Sequence, residues 1–270
     1  MKFTEKLDAA VKKNNSLLCI GLDIDLKKIP QSLLNKSDPI FDFNKEIIDA
    51  TKDLVCAYKP NIAFYEMYGI YGMEALIRTI EYASEFAPVI LDAKRGDVGH
   101  TASAYAKAVF DVYKADAVTI NPYMGYDSVE PFLEYKDKGI FILCLTSNAG
   151  RRDFQSSGKE ESLYKIVARH VKQWDVFGSC GLVVGATNPE ELKEIRAIVG
   201  DMPILIPGIG AQKGDLASSV KNGINSAGGR AIINSSRNII YASSGEDFAG
   251  AARAAAMKLR NDINSYRGTG

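Results

Sequence analysis

PVILDAKRGDVGHT, residues 88–101, sets a short apolar run directly against a cluster of charge. Val89 to Leu91 read as part of a strand buried on both faces, because no polar residue alternates with the apolar ones. The run then delivers Asp92, Lys94 and Asp97, and Thr101 stands at a helix start. An apolar strand with polar residues at its C-terminal end and a helix behind it is the repeating unit of a parallel α/β fold.

Seven further runs share this form: SLLCIGLD (16–23), LVCAYKP (54–60), DAVTINP (116–122), IFILCLT (140–146), GLVVGAT (181–187), PILIPGI (203–209) and RAIINSS (230–236). Between them lie helical periodicities, such as Met73, Leu76, Ile77 and Ile80, or Leu163, Ile166, Val167 and His170. Asn188 and Pro189 followed by Glu190 and Glu191 offer a cap, a first-turn proline and acidic residues at the positive helix end. The strand ends fall 21 to 40 residues apart, enough for one helix per crossover. Eight such units without a Pro/Gly/Ser-rich linker predict a (β/α)8 TIM barrel formed as a single domain over residues 1–270, with a doubly wound open sheet as the competing arrangement. The amphipathic start (Phe3, Leu7, Ala10, Val11) predicts a helix closing the barrel floor, and Glu246 to Tyr266 predicts the last helix.

Composition narrows the function. The 270 residues carry 33 Lys and Arg against 33 Asp and Glu and are 46% hydrophobic, so the chain can bury a full core and has no excess charge to hold a polyanion. Nucleic acid and acidic membrane surfaces are poor partners for such a chain. The N-terminus lacks a secretory h-region, and no run reaches the roughly 18 apolar residues of a membrane span. Cys19, Cys56, Cys144 and Cys180 lie in or beside apolar runs without C-x-x-C spacing, which predicts buried reduced thiols and a cytoplasmic protein. With only His100 and His170, a histidine-rich metal site is improbable.

Polar residues collect where the strands end: Asp23, Lys59, Asp92 with Lys94, Asn121, Thr146 with Ser147, Thr187, and Ser235 with Ser236 and Arg237. In a parallel barrel these ends open on one face, where barrel enzymes place their active sites. Asp92 and Lys94, two apart on a strand, point to the same side, and Asp97 follows close enough to join them. A D-x-K-x-x-D pattern is often only an ion pair with a solvated aspartate, but a position at the mouth of an apolar strand favours function. After runs seven and eight, Gly208 and Gly210 let backbone N–H groups approach an anion, and Arg237 supplies a planar fork of donors. Loops after strands seven and eight are the usual phosphate site of such barrels.

GLDID (21–25), YKPNIAFYE (58–66), LDAKRGDVGHTA (91–102), LTSNAG (145–150), IPGIGAQ (206–212) and INSSRNIIYA (233–242) resemble, in order, motifs of the orotidine 5′-phosphate decarboxylase family, in the spelling of its longer bacterial branch. The resemblance implies conversion of OMP to UMP without a cofactor or metal. It makes Lys94 the acid that protonates C6, places Asp92 beside the substrate carboxylate, and sends Asp97 into the neighbouring subunit's site of a homodimer. Together Lys59, Asp92, Lys94 and Asp97 would form an alternating network. Asp23 and Lys59 would hold ribose hydroxyls, with Thr101 contributed by the partner. Ser147 would meet the pyrimidine edge, and Gln212 and Arg237 the phosphate. Ser236 stands where many members have glycine. SNAGRRDFQSSGKE (147–160) is a candidate lid. Two other readings compete: a Mg²⁺-dependent sugar-phosphate decarboxylase or aldolase of the same superfamily, and a non-catalytic nucleotide-binding barrel. The first would need a carboxylate where Lys59 stands. The second would be expected to have lost part of the charge network.

Overall fold

The computed structural model describes residues 1–158, 160–209 and 215–268. Eight strands, β1 (Leu18–Gly21), β2 (Ala57–Lys59), β3 (Ile90–Arg95), β4 (Ala117–Ile120), β5 (Gly139–Leu145), β6 (Cys180–Val184), β7 (Ile204–Ile206) and β8 (Ala231–Ser235), pair in parallel in the order β2-β1-β8-β7-β6-β5-β4-β3. Parallel bridges from Tyr58 to Val89 and from Asn61 to Asp92 join β2 to β3. With them the sheet becomes a barrel. Each crossover carries at least one helix, from Pro39–Thr51 between β1 and β2 to Leu216–Gly223 between β7 and β8, and Phe248–Tyr266 follows the last strand.

The strands are shorter than the apolar runs that encode them, because only the central residues of each run enter the ladder. At Asn188 the expected cap is not made. Pro189 opens the helix Pro189–Val199, but the Asn188 side chain does not cap it. Its Nδ2 donates instead to the Thr146 and Gly185 carbonyls, tying the loop after β6 to the loop after β5.

The first helix, Phe3–Asn14, plugs the barrel floor as its periodicity predicts. It buries Phe3, Leu7 and Ala10, with Val11 packed more loosely at the edge. The Phe3 ring meets Phe141 edge-on at 5.6 Å. Burying side chains of this size stabilises the fold by about 1.5–3 kcal/mol each. Lys6 reaches Asp116 at 2.6 Å, and the second oxygen of Asp116 accepts the Val89 N–H, so the plug is tied to the entry of β3.

Barrel interiors are filled in layers of four side chains from alternate strands. Following the strand registers around the ring puts Cys19, Ile90, Phe141 and Leu205 of the odd strands in one layer. Lys59, Thr119, Val183 and Asn234 of the even strands form the layer above. The core therefore changes from apolar to polar within one layer, and that step is the floor of the site.

At the opposite end, Arg196 donates to the carbonyls of Gly200, Met202, Gly223 and Arg230. Burial pulls its pKa down to about 10. Its fork holds the chain ends that enter β7 and β8. Arg196→Met strands these acceptors, and a loss of about 3 kcal/mol is expected in denaturant unfolding, with kcat/KM unchanged within about twofold. A fall in kcat/KM beyond that would show that the two ends of the barrel are coupled.

Candidate active site

The C-terminal mouths of the strands enclose a cavity of about 330 Å³. Asp23, Lys59, Asp92, Lys94, Thr146, Ser147, Gly208, Ser235, Ser236 and Arg237 all line it, so ten residues singled out from sequence meet in one place. Val183 and Leu205 form its apolar floor and Leu143 part of its wall.

The centre is Asp92. Its Oδ2 accepts from the Lys59 ammonium at 2.9 Å and its Oδ1 from the Lys94 ammonium at 2.6 Å. Thr119 Oγ1 donates to Oδ1 at 2.9 Å. Lys59 is buried, with only a small part of its side chain reaching the cavity, whereas the Lys94 side chain is half exposed towards it. Burial works to raise the Asp92 pKa, but the ammonium groups of Lys59 and Lys94 outweigh it and hold the carboxyl well below the usual carboxylate range. For Lys59, burial works downward, and the carboxylates of Asp92 and then Asp23 overcome it, so its pKa is raised. Each charge stabilises the other, as buried charges require.

Lys94 owes its position to an irregular strand. Leu91 pairs with Val118 and Arg95 with Ile120, so two extra β3 residues stand opposite Thr119. Lys94 takes up this slack in the left-handed region at φ 45°. Such a conformation is uncommon for a residue with a side chain, and in a strand it turns the chain to aim that side chain.

Two glycines make room for the rim. A Cβ on Gly21 would lie 1.8 Å from Ser236 Oγ, so the serine at position 236 occupies space that β1 leaves open. A Cβ on Gly185 would lie 2.7 Å from the Ser147 backbone N and Cβ. In the segment 147–160, Ala149–Asp153 form a 3₁₀ turn, and Gln155 Oε1 accepts from Thr146 N at 2.7 Å.

Other expected residues stand apart. Among the described residues lining the cavity, Asp97 and Thr101 do not figure. Asp97 Oδ1 accepts its neighbour Val98 N–H, and Thr101 is exposed on the helix Gly99–Lys107. Within one chain Asp97 therefore does not join Asp92 and Lys94, although its spacing allows it. Gly210 and Gln212 lie outside the described residues.

Sequence reasoning passed over Thr119 and Asn234, both buried cavity-lining residues inside strands. Asn234 Oδ1 has no hydrogen-bond partner. The available signal was a polar residue at an inward-facing position of an apolar run. The four cysteines are free and buried, and burial pushes the Cys19 thiol, below Lys59, up to about 12, which removes it as a nucleophile. Among the described residues no helix is long and apolar enough to cross a membrane, and no group of three or more His, Cys, Asp or Glu gathers to hold a metal.

A parallel (β/α)8 barrel with a lysine and aspartate cluster at its C-terminal mouth has the architecture of a barrel enzyme. Comparison with known proteins specifies which. The model of the orotidine 5′-phosphate decarboxylase / HUMPS family matches residues 16–254. Over 99% of this chain and all of theirs, orotidine 5′-phosphate decarboxylases of Azoarcus sp. (strain BH72) and Ralstonia nicotianae are 53% and 52% identical to it. The structure of Leishmania donovani OMP decarboxylase superposes with a TM-score of 0.87 at 39% identity, covering 99% of both chains. Leishmania donovani UMP synthase gives 0.89 at 40% identity, and there the match covers 99% of this chain and 57% of that longer one. The chain belongs to the orotidine 5′-phosphate decarboxylase / HUMPS family.

The direction of the two pKa shifts makes the charge state testable. A carboxyl held below its ordinary 3.8 contributes stability above that value and loses it only as pH falls through the lower folded value. A lysine held above 10.5 contributes fully below 10.5 and loses it as pH rises through the higher folded value. Both groups are therefore charged from about pH 4 to about pH 10. With ¹³C-labelled aspartate carboxyls, the Asp92 resonance shows no inflection of its own between about pH 5 and about pH 9. An Asp92 inflection inside that window would contradict the network.

Proposed function

We propose that this chain decarboxylates orotidine 5′-monophosphate to UMP without a metal or organic cofactor, and that two copies complete each other's sites. The observation that carries the reading is the Asp92 carboxylate clamped between the Lys59 and Lys94 ammonium groups inside the cavity. Loss of CO₂ breaks the bond between C6 and the carboxyl carbon and leaves the electron pair on C6, in the plane of the pyrimidine ring. The π system cannot delocalise that pair, so fixed charge must stabilise it, and a preorganised ammonium does so without reorganisation. The Lys94 ammonium transfers one proton to C6, giving UMP and a neutral amine that takes a proton back from solvent.

Asp92 would sit beside the departing carboxylate and hold the Lys94 ammonium in place by the hydrogen bond to its Oδ1. Asp23 and Lys59 would hold the ribose, Ser147 the pyrimidine edge, and Gln212, Arg237, Ser236, Gly208 and Gly210 the phosphate. Both Asp92 oxygens already accept from ammonium groups, and Lys59 would repel a cation where the Mg²⁺-dependent relatives need a carboxylate. These points favour decarboxylation of OMP over the sugar-phosphate chemistry. Asp97 and Thr101, outside their own cavity, would serve the partner's.

Lys94→Ala, assayed in EDTA by loss of OMP absorbance, should lower kcat by at least about 10³-fold while UMP still binds. A variant that keeps more than a few per cent of wild-type kcat would overturn Lys94 as proton donor. Wild-type activity that EDTA removes and Mg²⁺ restores would point to the metal-dependent chemistry instead.

The shared site has its own test. Lys94→Ala and Asp97→Ala subunits, each inactive alone, are mixed and allowed to exchange. About half of the dimers become heterodimers with one intact site, so about one quarter of wild-type activity returns. A mixture that stays inactive after mass spectrometry confirms exchange would place Asp97 within its own site.

A further inference from the structure

We infer that Thr119 is a positioning residue for the decarboxylation proposed above, on which this inference rests: its hydroxyl locks the backbone of Lys94 and the carboxylate of Asp92 into one unit. Thr119 is 1% exposed, on β4 opposite the irregularity in β3. The Lys94 N–H donates to Thr119 Oγ1 at 3.0 Å, and Thr119 Oγ1 donates to Asp92 Oδ1 at 2.9 Å. The direction of both bonds is forced. A backbone N–H can only donate and an ionised carboxylate can only accept, so the single hydroxyl proton has to point at Asp92.

Three features make this more than the satisfaction of a buried hydroxyl. Lys94 is at φ 45°, a conformation that persists only where the surroundings over-determine it. The two extra residues on β3 interrupt the ladder to β4 at this point, and the hydroxyl takes up the Lys94 N–H. The same Asp92 oxygen also accepts from the Lys94 ammonium at 2.6 Å. The threonine therefore grips the proposed proton donor by its backbone and, through Asp92, by its side chain. Within the barrel layer of Lys59, Thr119, Val183 and Asn234, it takes a position where a β-branched apolar residue would fill the space equally well. What the hydroxyl adds is aim.

The test compares Thr119→Val, which keeps the shape and removes the hydroxyl, with Thr119→Ser, which keeps the hydroxyl and removes the methyl. Full-length variants are assayed for kcat and KM with OMP, and the Asp92 carboxyl ¹³C resonance is recorded in labelled protein. Thr119→Val is expected to lower kcat by about 10- to 100-fold with KM within about threefold of wild type, because a small misplacement of the donor is enough to cost that much. Thr119→Ser should return kcat to within about threefold, and the Asp92 resonance should move in the valine variant and return in the serine one. Wild-type kcat in Thr119→Val, or equal losses in both variants, would overturn the inference. So would an unmoved Asp92 resonance in a folded valine variant. If the wild type fails to decarboxylate OMP, the functional reading fails, whereas the resonance still decides whether Thr119 holds Asp92.

Discussion

One buried carboxylate organises the polar half of this molecule. Asp92 sits in a barrel whose lower layers are apolar, where an unpaired charge would cost several kcal/mol. Two ammonium groups and a hydroxyl meet it at hydrogen-bond distance. Removing either lysine would leave the carboxylate under-compensated, and removing the carboxylate would leave Lys59 buried with its main partner gone. Barrel walls that exclude water make the pair interaction strong, and the pair makes it tolerable to bury charge there. The fold and the chemistry are in this sense one constraint.

How far this was legible from sequence follows from the physics of each part. The barrel was readable because parallel strands buried on both faces leave uninterrupted apolar runs, and each run here carries its polar residues at the C-terminal end. Asp23, Lys59, Asp92, Lys94, Ser147 and Arg237 announce themselves because charge or polarity there has no structural reason. Thr119 and Asn234 were hidden for the opposite reason, since a single small polar residue inside a strand reads as part of the apolar run. The left-handed turn at Lys94 could not be read at all, because nothing in D-A-K-R signals two extra residues against β4. Asn188 misled for a different reason: residues of its type cap helices by accepting a backbone N–H on the side-chain oxygen, yet here the side chain is held through its Nδ2, which donates to the Thr146 and Gly185 carbonyls.

Asp97 and Thr101 stand outside the cavity of their own chain. Spacing along β3 allows Asp97 to turn inward, but the structure gives its carboxylate to the adjacent Val98 N–H. A second copy would explain why a charged motif continues past the point where it can serve its own cavity. The Azoarcus relative and the Leishmania donovani structure each align with 99% of this chain. The identity is therefore distributed over the whole chain, and the family assignment does not depend on the six motifs alone.

On the proposed reading, the charge cluster at the barrel mouth acts directly on C6 of a nucleotide. A crystal structure of the chain with UMP bound tests this. The account predicts C6 within about 3.5 Å of Lys94 Nζ, with Asp92 bridging Lys59 and Lys94 and with Asp97 approaching from a second copy. A nucleotide whose ring lies away from Lys94, or a divalent cation between Asp92 and the ligand, would contradict it.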